Sequence, residues 1–97
     1  MEETMLVIVR TAPDTTEGKR GVRIAVKAGA DIIFLQNGVY FAQKDILGEF
    51  SGTAYVLDDD TRLRGLKDSD LNEKIRCIGY DSLVDLITGS NKVIGMF

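Results

Sequence analysis

Three groups of residues in this 97-residue chain have the types and spacing to take part in chemistry. Cys77 is the one thiol, and a thiol is a nucleophile only as its thiolate. The turn Gln36-Asn-Gly38 carries two amide side chains, and the run Asp58-Asp-Asp-Thr-Arg-Leu-Arg-Gly65 carries carboxylates and guanidinium groups. Both runs directly follow apolar, strand-like segments. Parallel sheets form their ligand sites at such strand exits.

Each run also has a purely structural interpretation. An Asn-Gly sequence accepts a positive φ at low cost, so Gln36 to Gly38 can serve only as a turn; otherwise its amides line a crevice. Arg62 and Arg64 either present guanidinium groups to an anion, an RNA phosphate or a partner carboxylate, or pair with the preceding acids on a solvated helix face. The predicted crevice or partner-binding residues are Gln36, Asn37, Gly38, Asp58, Arg62, Arg64 and Gly65.

The consecutive acids Asp58, Asp59 and Asp60 could suggest a binding site for a hard cation such as Ca²⁺ or Mg²⁺. However, the side chains of adjacent residues splay apart, and the sequence has no Asp-x-Asp-x-Asp-Gly loop. They are better explained as an N-cap and first-turn carboxylates of a short helix. With no histidine and one cysteine, a zinc site built from these two residue types is excluded. Gly18-Lys-Arg-Gly21 lacks the spacing of a phosphate-binding loop. We predict no metal and no cofactor.

Composition narrows the class of protein. The length suits one small domain, which we assign to residues 1–97, with residues 1–4 as the segment that can be disordered. A net charge of -3 argues against general nucleic-acid binding. No apolar run approaches the roughly 20 residues of a membrane span, and the acidic start lacks the features of a signal peptide. The single cysteine fits a reducing compartment, so we expect a cytoplasmic protein.

Apolar runs alternate with segments of helical spacing. The predicted strands are Met5–Val9, Asp31–Leu35, Thr53–Leu57, Ile75–Ile78 and Lys92–Phe97, and the predicted helices are Thr16–Ala28, Val39–Leu47, Asp58–Arg64 and Tyr80–Thr88. Residues 67–74 are predicted to be a loop or a single helical turn. We expect Asp14 or Thr15 to cap the first helix, Gly18 and Gly21 to delay its start, and Gly29 to end it. The alternation predicts an α/β fold, in which right-handed crossovers place helices on both faces of the sheet. We expect three α/β/α layers with flavodoxin-like layering, around a five-stranded, mostly parallel sheet whose last strand lies at an edge.

Three segments together resemble one protein family. They are Leu35-Gln-Asn-Gly-Val39, Leu57-Asp-Asp-Asp-Thr-Arg-Leu-Arg-Gly-Leu66 and Ile78-Gly-Tyr-Asp-Ser-Leu-Val-Asp-Leu86. In this order and on these elements they are similar to the TusB/DsrH family of the DsrE/DsrF/DsrH-like superfamily of sulfur-relay proteins. The resemblance runs from about Met5 along the whole chain and implies the DsrEFH-like fold.

The resemblance implies a subunit of a sulfur-relay assembly. Its sister subunits would be DsrE/TusD-like and DsrF/TusC-like proteins, in a complex for 2-thiolation of the tRNA wobble uridine or for dissimilatory sulfur metabolism. In the family the sulfur-carrying cysteine mainly belongs to a sister subunit, in the loop after its strand. Here the comparable exit, Gln36 to Gly38, has no thiol, and residues 14–28 contain none. The resemblance therefore favours an accessory, non-catalytic subunit in a homo- or hetero-oligomer.

The surroundings of Cys77 distinguish the hypotheses about the function of this chain. Within Ile75-Arg-Cys-Ile78 we expect it to lie in a central strand, buried as a small hydrophobe, with Arg76 pointing to the opposite sheet face. An accessible Cys77 would instead suit a sulfurtransferase that carries persulfide on its own thiol. A third hypothesis is a stand-alone α/β binding or regulatory module that uses the crevice near Gln36, Asn37 and Asp58.

Overall fold

Five short apolar strands form one sheet in the computed structural model, which describes residues 5–44, 46–48, 50 and 52–97. The strands are β1 (Met5–Val9), β2 (Asp31–Phe34), β3 (Ala54–Leu57), β4 (Arg76–Ile78) and β5 (Lys92–Met96). Their order is β4-β3-β2-β1-β5, and every pair is parallel. The predicted disordered segment 1–4, and Asp45 of the second predicted helix, lie outside the described residues.

Helical segments connect the strands. They are α1 (Thr16–Ala28), a 3₁₀ helix (Gln36–Ala42), α2 (Asp58–Leu63), a second 3₁₀ helix (Asp68–Asp70) and α3 (Tyr80–Gly89). The second 3₁₀ helix confirms the single turn predicted within residues 67–74. The helix predicted from Val39 is wrong in type and start, because the chain turns helical directly at the exit of β2. The ends of the other predicted strands and helices agree with the structure to within one residue.

The first helix begins at Thr16 without the delay predicted for its glycines. The Thr15 hydroxyl accepts a hydrogen bond from the Gly18 N–H at 3.0 Å, and Gly29 ends the helix with φ 67°, both as predicted. The two inner glycines have a packing role. A Cβ atom on Gly21 would lie 2.8 Å from Cβ of Phe97, so its absence lets α1 approach the sheet closely.

Two apolar clusters lie on opposite faces of the sheet and confirm the three-layer architecture. The larger joins α1 to alternate strand residues, among them Val7, Val9, Ile32, Phe34 and Val56. The smaller joins Leu83 of α3 to Leu6, Ile33 and Leu57. The connections from β1 to β2, from β2 to β3 and from β3 to β4 all move in one direction along the sheet. The connection through α3 runs back in the other direction to β5, and this reversal places α3 on the opposite face.

Candidate functional site

The exit of β2 makes a tight turn that depends on two residues. Gln36 adopts a left-handed backbone conformation, with φ 51°, which is unusual for a residue with a side chain. Gly38 does not have the positive φ that its Asn-Gly context suggested. It is needed because a Cβ atom at this position would collide with the carbonyl oxygen of Val9 at the end of β1. The turn thus lies directly on the carboxyl edge of the sheet.

The exit of β3 leads without a loop into α2. Leu57 occupies the N-cap position without a side-chain hydrogen bond, so the prediction that an aspartate caps this helix is wrong. Asp58, Asp59 and Asp60 instead form its first turn, where carboxylates interact favourably with the helix dipole. Gly65 ends the helical segment with φ 70°, and the next N–H, that of Leu66, bonds to the Thr61 carbonyl at 2.9 Å.

A small polar network joins these two exits. The Gln36 N–H donates to a carboxylate oxygen of Asp60 at 2.7 Å, and Arg64 Nε donates to the Asn37 side-chain oxygen at 3.0 Å. The Arg64 guanidinium also donates to the Asp60 carbonyl at 3.2 Å and lies 3.8 Å from the Asp60 carboxylate. The side chains of Arg64 and Asp60 are only 21% and 13% exposed. The network therefore fixes the left-handed turn against α2.

The network contains some of the predicted crevice residues and one that was missed. It brings together Gln36, Asn37 and Arg64, whereas Asp60 had been considered only as part of the acidic run. The spacing of Asp60 four residues before Arg64 was the available signal. Which of three acids would turn toward β2 depends on the pairing of β2 with β3, and a single sequence does not show this.

Asp58 and Arg62 form a separate, outward-facing pair. Their side chains are bonded to each other, and Arg62 also lies 3.8 Å from the Asp59 carboxylate. The hydrogen bond and the charge of Asp58 raise the pKa of Arg62 above its ordinary value. Arg62 therefore lies on a solvated helix face and pairs with the preceding acids, as the structural interpretation of this run predicted. Arg64 instead belongs to the polar network.

Cys77 is exposed, so the prediction that it lies in the interior is wrong. The reason is topological: among the strands that the structure describes, β4 lies at the edge of the sheet and pairs with β3 alone. Cys77 pairs with Val56 of the α1-side cluster, while Arg76 pairs with Tyr55, which packs on the α3 side. The two neighbours therefore point to opposite faces, as predicted from strand alternation.

The surroundings of Cys77 disfavour its thiolate. Partial desolvation raises the pKa of the Cys77 thiol above its ordinary value, and the negative charges of Asp68 and Asp58 raise it further. Beside Cys77, a groove of about 410 Å³ runs between β4 and α3, with Tyr55, Ile78 and Leu86 among its lining residues. The thiol is thus open to partners but is not activated as a nucleophile.

A larger cavity, of about 560 Å³, lies away from the network. It is lined by residues near the amino ends of β3 and β4, including Ala54 and Ile75, and by Val26 of α1. No cluster of three or more His, Cys, Asp or Glu side chains suited to a metal ion occurs among the described residues. Nor does the described part of the chain include a helix long and apolar enough to cross a membrane.

A comparison with known protein families shows which family the chain belongs to. The model of the family described as DsrH like protein matches residues 19–93. The chain belongs to the DsrH-like family. No curated protein matches it.

Solved structures agree with this membership. In one solution structure, protein Tm0979 from Thermotoga maritima is 31% identical to the DsrH-like chain, with a TM-score of 0.68 over 89% of this chain and 93% of that one. In a second solution structure, where Tm0979 is described as a proposed sulfur transferase, the identity is 30% and the TM-score 0.57, over 75% and 83% of the two chains. The YchN protein of E. coli, only 12% identical, shares the fold with a TM-score of 0.83 over 97% and 99% of the chains.

The family match includes both candidate features. Residues 19–93 contain the network of Gln36, Asn37, Asp60 and Arg64, and they contain Cys77. A hypothesis for this DsrH-like chain must therefore assign a role to a polar network without a thiol and to an exposed thiol whose pKa is raised by partial desolvation and nearby acids.

Proposed function

We propose that this DsrH-like chain is a non-catalytic subunit of a cytoplasmic sulfur-relay complex, and that it works by contact with DsrE/TusD-like and DsrF/TusC-like sister subunits. The relay would serve 2-thiolation of the tRNA wobble uridine or related sulfur trafficking. The observation that carries the proposal is the chemistry of the strand exits. Where a relay subunit needs an activated thiol, this chain has a turn in which Asp60 accepts a hydrogen bond from the backbone N–H of Gln36 and Arg64 donates one to the side-chain oxygen of Asn37.

The network suits partner contact better than catalysis. Gln36 and Asn37 are exposed at the carboxyl edge; the Gln36 backbone N–H is held by Asp60 of α2, and the Asn37 side chain is held by Arg64. Presenting polar groups from a fixed backbone lowers the entropy lost when a partner binds. Described relatives support the sulfur chemistry, since Tm0979, at 30% identity, is named a proposed sulfur transferase.

The exposure of Cys77 favours a second candidate function, a sulfurtransferase. Its thiolate would attack the outer sulfur of a donor persulfide, form a Cys77 persulfide and release the donor as a thiolate. The surroundings of Cys77 oppose this, because partial desolvation and the nearby acidic groups raise the pKa of its thiol and so lower the fraction of thiolate at neutral pH. The accessory role is therefore the better supported of the two.

One experiment separates the two functions. The folded protein is incubated with a persulfide donor and its intact mass is measured, with Cys77→Ser as the control and the urea-unfolded protein as a test of donor competence. We expect the unfolded protein to gain about 32 Da, the mass of one sulfur atom, and the folded protein to gain little in the same time. A stoichiometric adduct on the folded protein, absent from Cys77→Ser, would overturn the accessory role.

A further inference from the structure

The layer on the α1 side of the sheet has a gap at the amino ends of β3 and β4. The long helix α1 packs mainly on β1 and β2, whereas the helical segments beside β3 and β4 have only three to seven residues. The gap is the cavity of about 560 Å³, which we call the amino-edge cavity. Its volume lies within the range of small-molecule sites, roughly 300–1,000 Å³.

The floor of the amino-edge cavity is apolar. Ala54 is a buried member of the larger cluster, and Leu47, Phe50 and Ile75 pack against that cluster while remaining only half-buried. Val26 forms the α1 wall and is 46% exposed. These side chains leave apolar surface in contact with water, and covering it with an apolar group is favourable.

Two hydrogen-bond donors lie in the lining. The Asn72 N–H donates to the Ala42 carbonyl at 2.8 Å, and the Asn72 side-chain oxygen accepts from the Lys74 N–H at 2.9 Å, so the backbone of this segment is fixed. The side-chain nitrogen of Asn72 and the exposed ammonium of Lys74 have no partner among the described residues. Both groups are therefore available to a ligand.

The charges near the cavity favour an anion. Arg23 and Lys27 are exposed on the C-terminal half of α1, which supplies one wall. Of the nearby acids, Glu73 is not part of the lining, and the Asp31 carboxylate already accepts a hydrogen bond from the Thr53 N–H at 2.9 Å. An anionic group would thus meet cations and free donors at this rim.

We propose that the amino-edge cavity binds a small amphiphilic carboxylate. Its apolar body covers Phe50, Ala54 and Ile75, and its carboxylate accepts hydrogen bonds from the Lys74 ammonium and the Asn72 side-chain nitrogen. Mostly apolar walls with a few placed polar groups are what ligand sites of this kind have in common. The cavity and the polar network lie at opposite edges of the sheet, so this inference does not depend on the proposed relay function.

Titration with octanoate, followed by the backbone amide signals of the isotope-labelled protein, tests the site. We expect saturable shifts at Ala54, Asn72 and Ile75, with a dissociation constant on the order of 1 mM for a ligand of this size. Octylammonium has the same chain with the opposite charge and should bind at least about threefold more weakly. The amides around Val84, an exposed apolar residue of α3, should not shift.

Two variants with matched controls locate the ligand. Lys74→Glu should weaken octanoate binding about tenfold, because an attractive charge becomes a repulsive one. Lys92→Glu, at an exposed lysine of β5, should leave the binding unchanged. Val26→Trp fills the cavity from its α1 wall and should abolish the shifts, whereas Val84→Trp, at a similarly exposed position, should not. Circular dichroism checks that each variant is folded.

The proposal is overturned if octanoate gives no saturable shifts at the cavity, if octylammonium binds as tightly, or if Lys74→Glu binds octanoate like Lys92→Glu. Shifts that saturate only around Val84 would likewise overturn it. Each of these results would leave the proposed relay function untouched, since that function is tested at the thiol.

Discussion

At Gly38 the β2 exit comes so close to the end of β1 that no side chain fits. We expect Gly38→Ala to destabilise the protein by about 3 kcal/mol, because the added methyl group collides with the Val9 carbonyl. Gly89→Ala is the matched control: Gly89 ends α3 with open space around it, and alanine there should be neutral or stabilising by up to about 1 kcal/mol. Urea unfolding measures both. Equal losses for the two variants would contradict the role given to Gly38.

Cys77 shows how partial desolvation and neighbouring charges control the reactivity of a residue that partners can reach. Its raised pKa means that the thiolate fraction at neutral pH is smaller than in a free cysteine. Alkylation by iodoacetamide should therefore be slower than for a cysteine peptide at pH 7, and its rate should go on rising above the pH at which the peptide levels off. Asp68→Asn removes one of the charges that raise the pKa and should speed the reaction at pH 7. A peptide-like rate in the wild type, or no change in the variant, would contradict this.

At the scale of elements, local signals predicted the strands and helix ends well. The continuous β-branched run of β1 and the capping residues Thr15 and Gly29 act within a few positions, so the sequence shows them directly. Local signals do not give the position of β4 within the sheet. Its apolar pattern is that of a buried strand, yet its burial depends on the order of all five strands. The exposure of Cys77 was therefore missed, and the contact of Asp60 with Gln36 was missed for the same reason.

The network couples α2 to the β2 exit, and a double-mutant cycle measures that coupling. We expect Arg64→Ala and Asn37→Ala each to cost about 0.5–1.5 kcal/mol, since each removes the hydrogen bond between Arg64 Nε and the Asn37 side-chain oxygen. The double variant should cost less than the sum, by about 0.5–1.5 kcal/mol.

Arg62→Ala is the control for this cycle, because Arg62 lies two residues away in an exposed ion pair. Its loss should change the free energy of unfolding by less than about 0.5 kcal/mol. If the two arginine variants lost equal stability, or if Arg64 and Asn37 proved additive, the network would not be a coupled unit.

At the scale of the whole molecule, the two faces of the sheet are unequally stabilised. The α1 side buries a large cluster that extends over β1, β2 and β3. In the described part of the chain, the α3 side buries a cluster of four residues, of which α3 contributes Leu83 alone. Protein segments with few buried apolar contacts open with a lower free energy than the rest of the fold. Among the described elements, α3 should therefore open before the central strands do.

Hydrogen exchange tests this order. In the wild type, amides of α3 should exchange with a smaller opening free energy than those of β1 and β2. Leu83→Ala removes the anchor and should lower stability by about 2–3 kcal/mol, with the α3 amides losing most of their protection. Val84→Ala, at an exposed position one residue along, should change stability by less than about 0.5 kcal/mol at low protein concentration. If α3 and β1 shared one opening free energy, the two faces of the sheet would form a single cooperative unit.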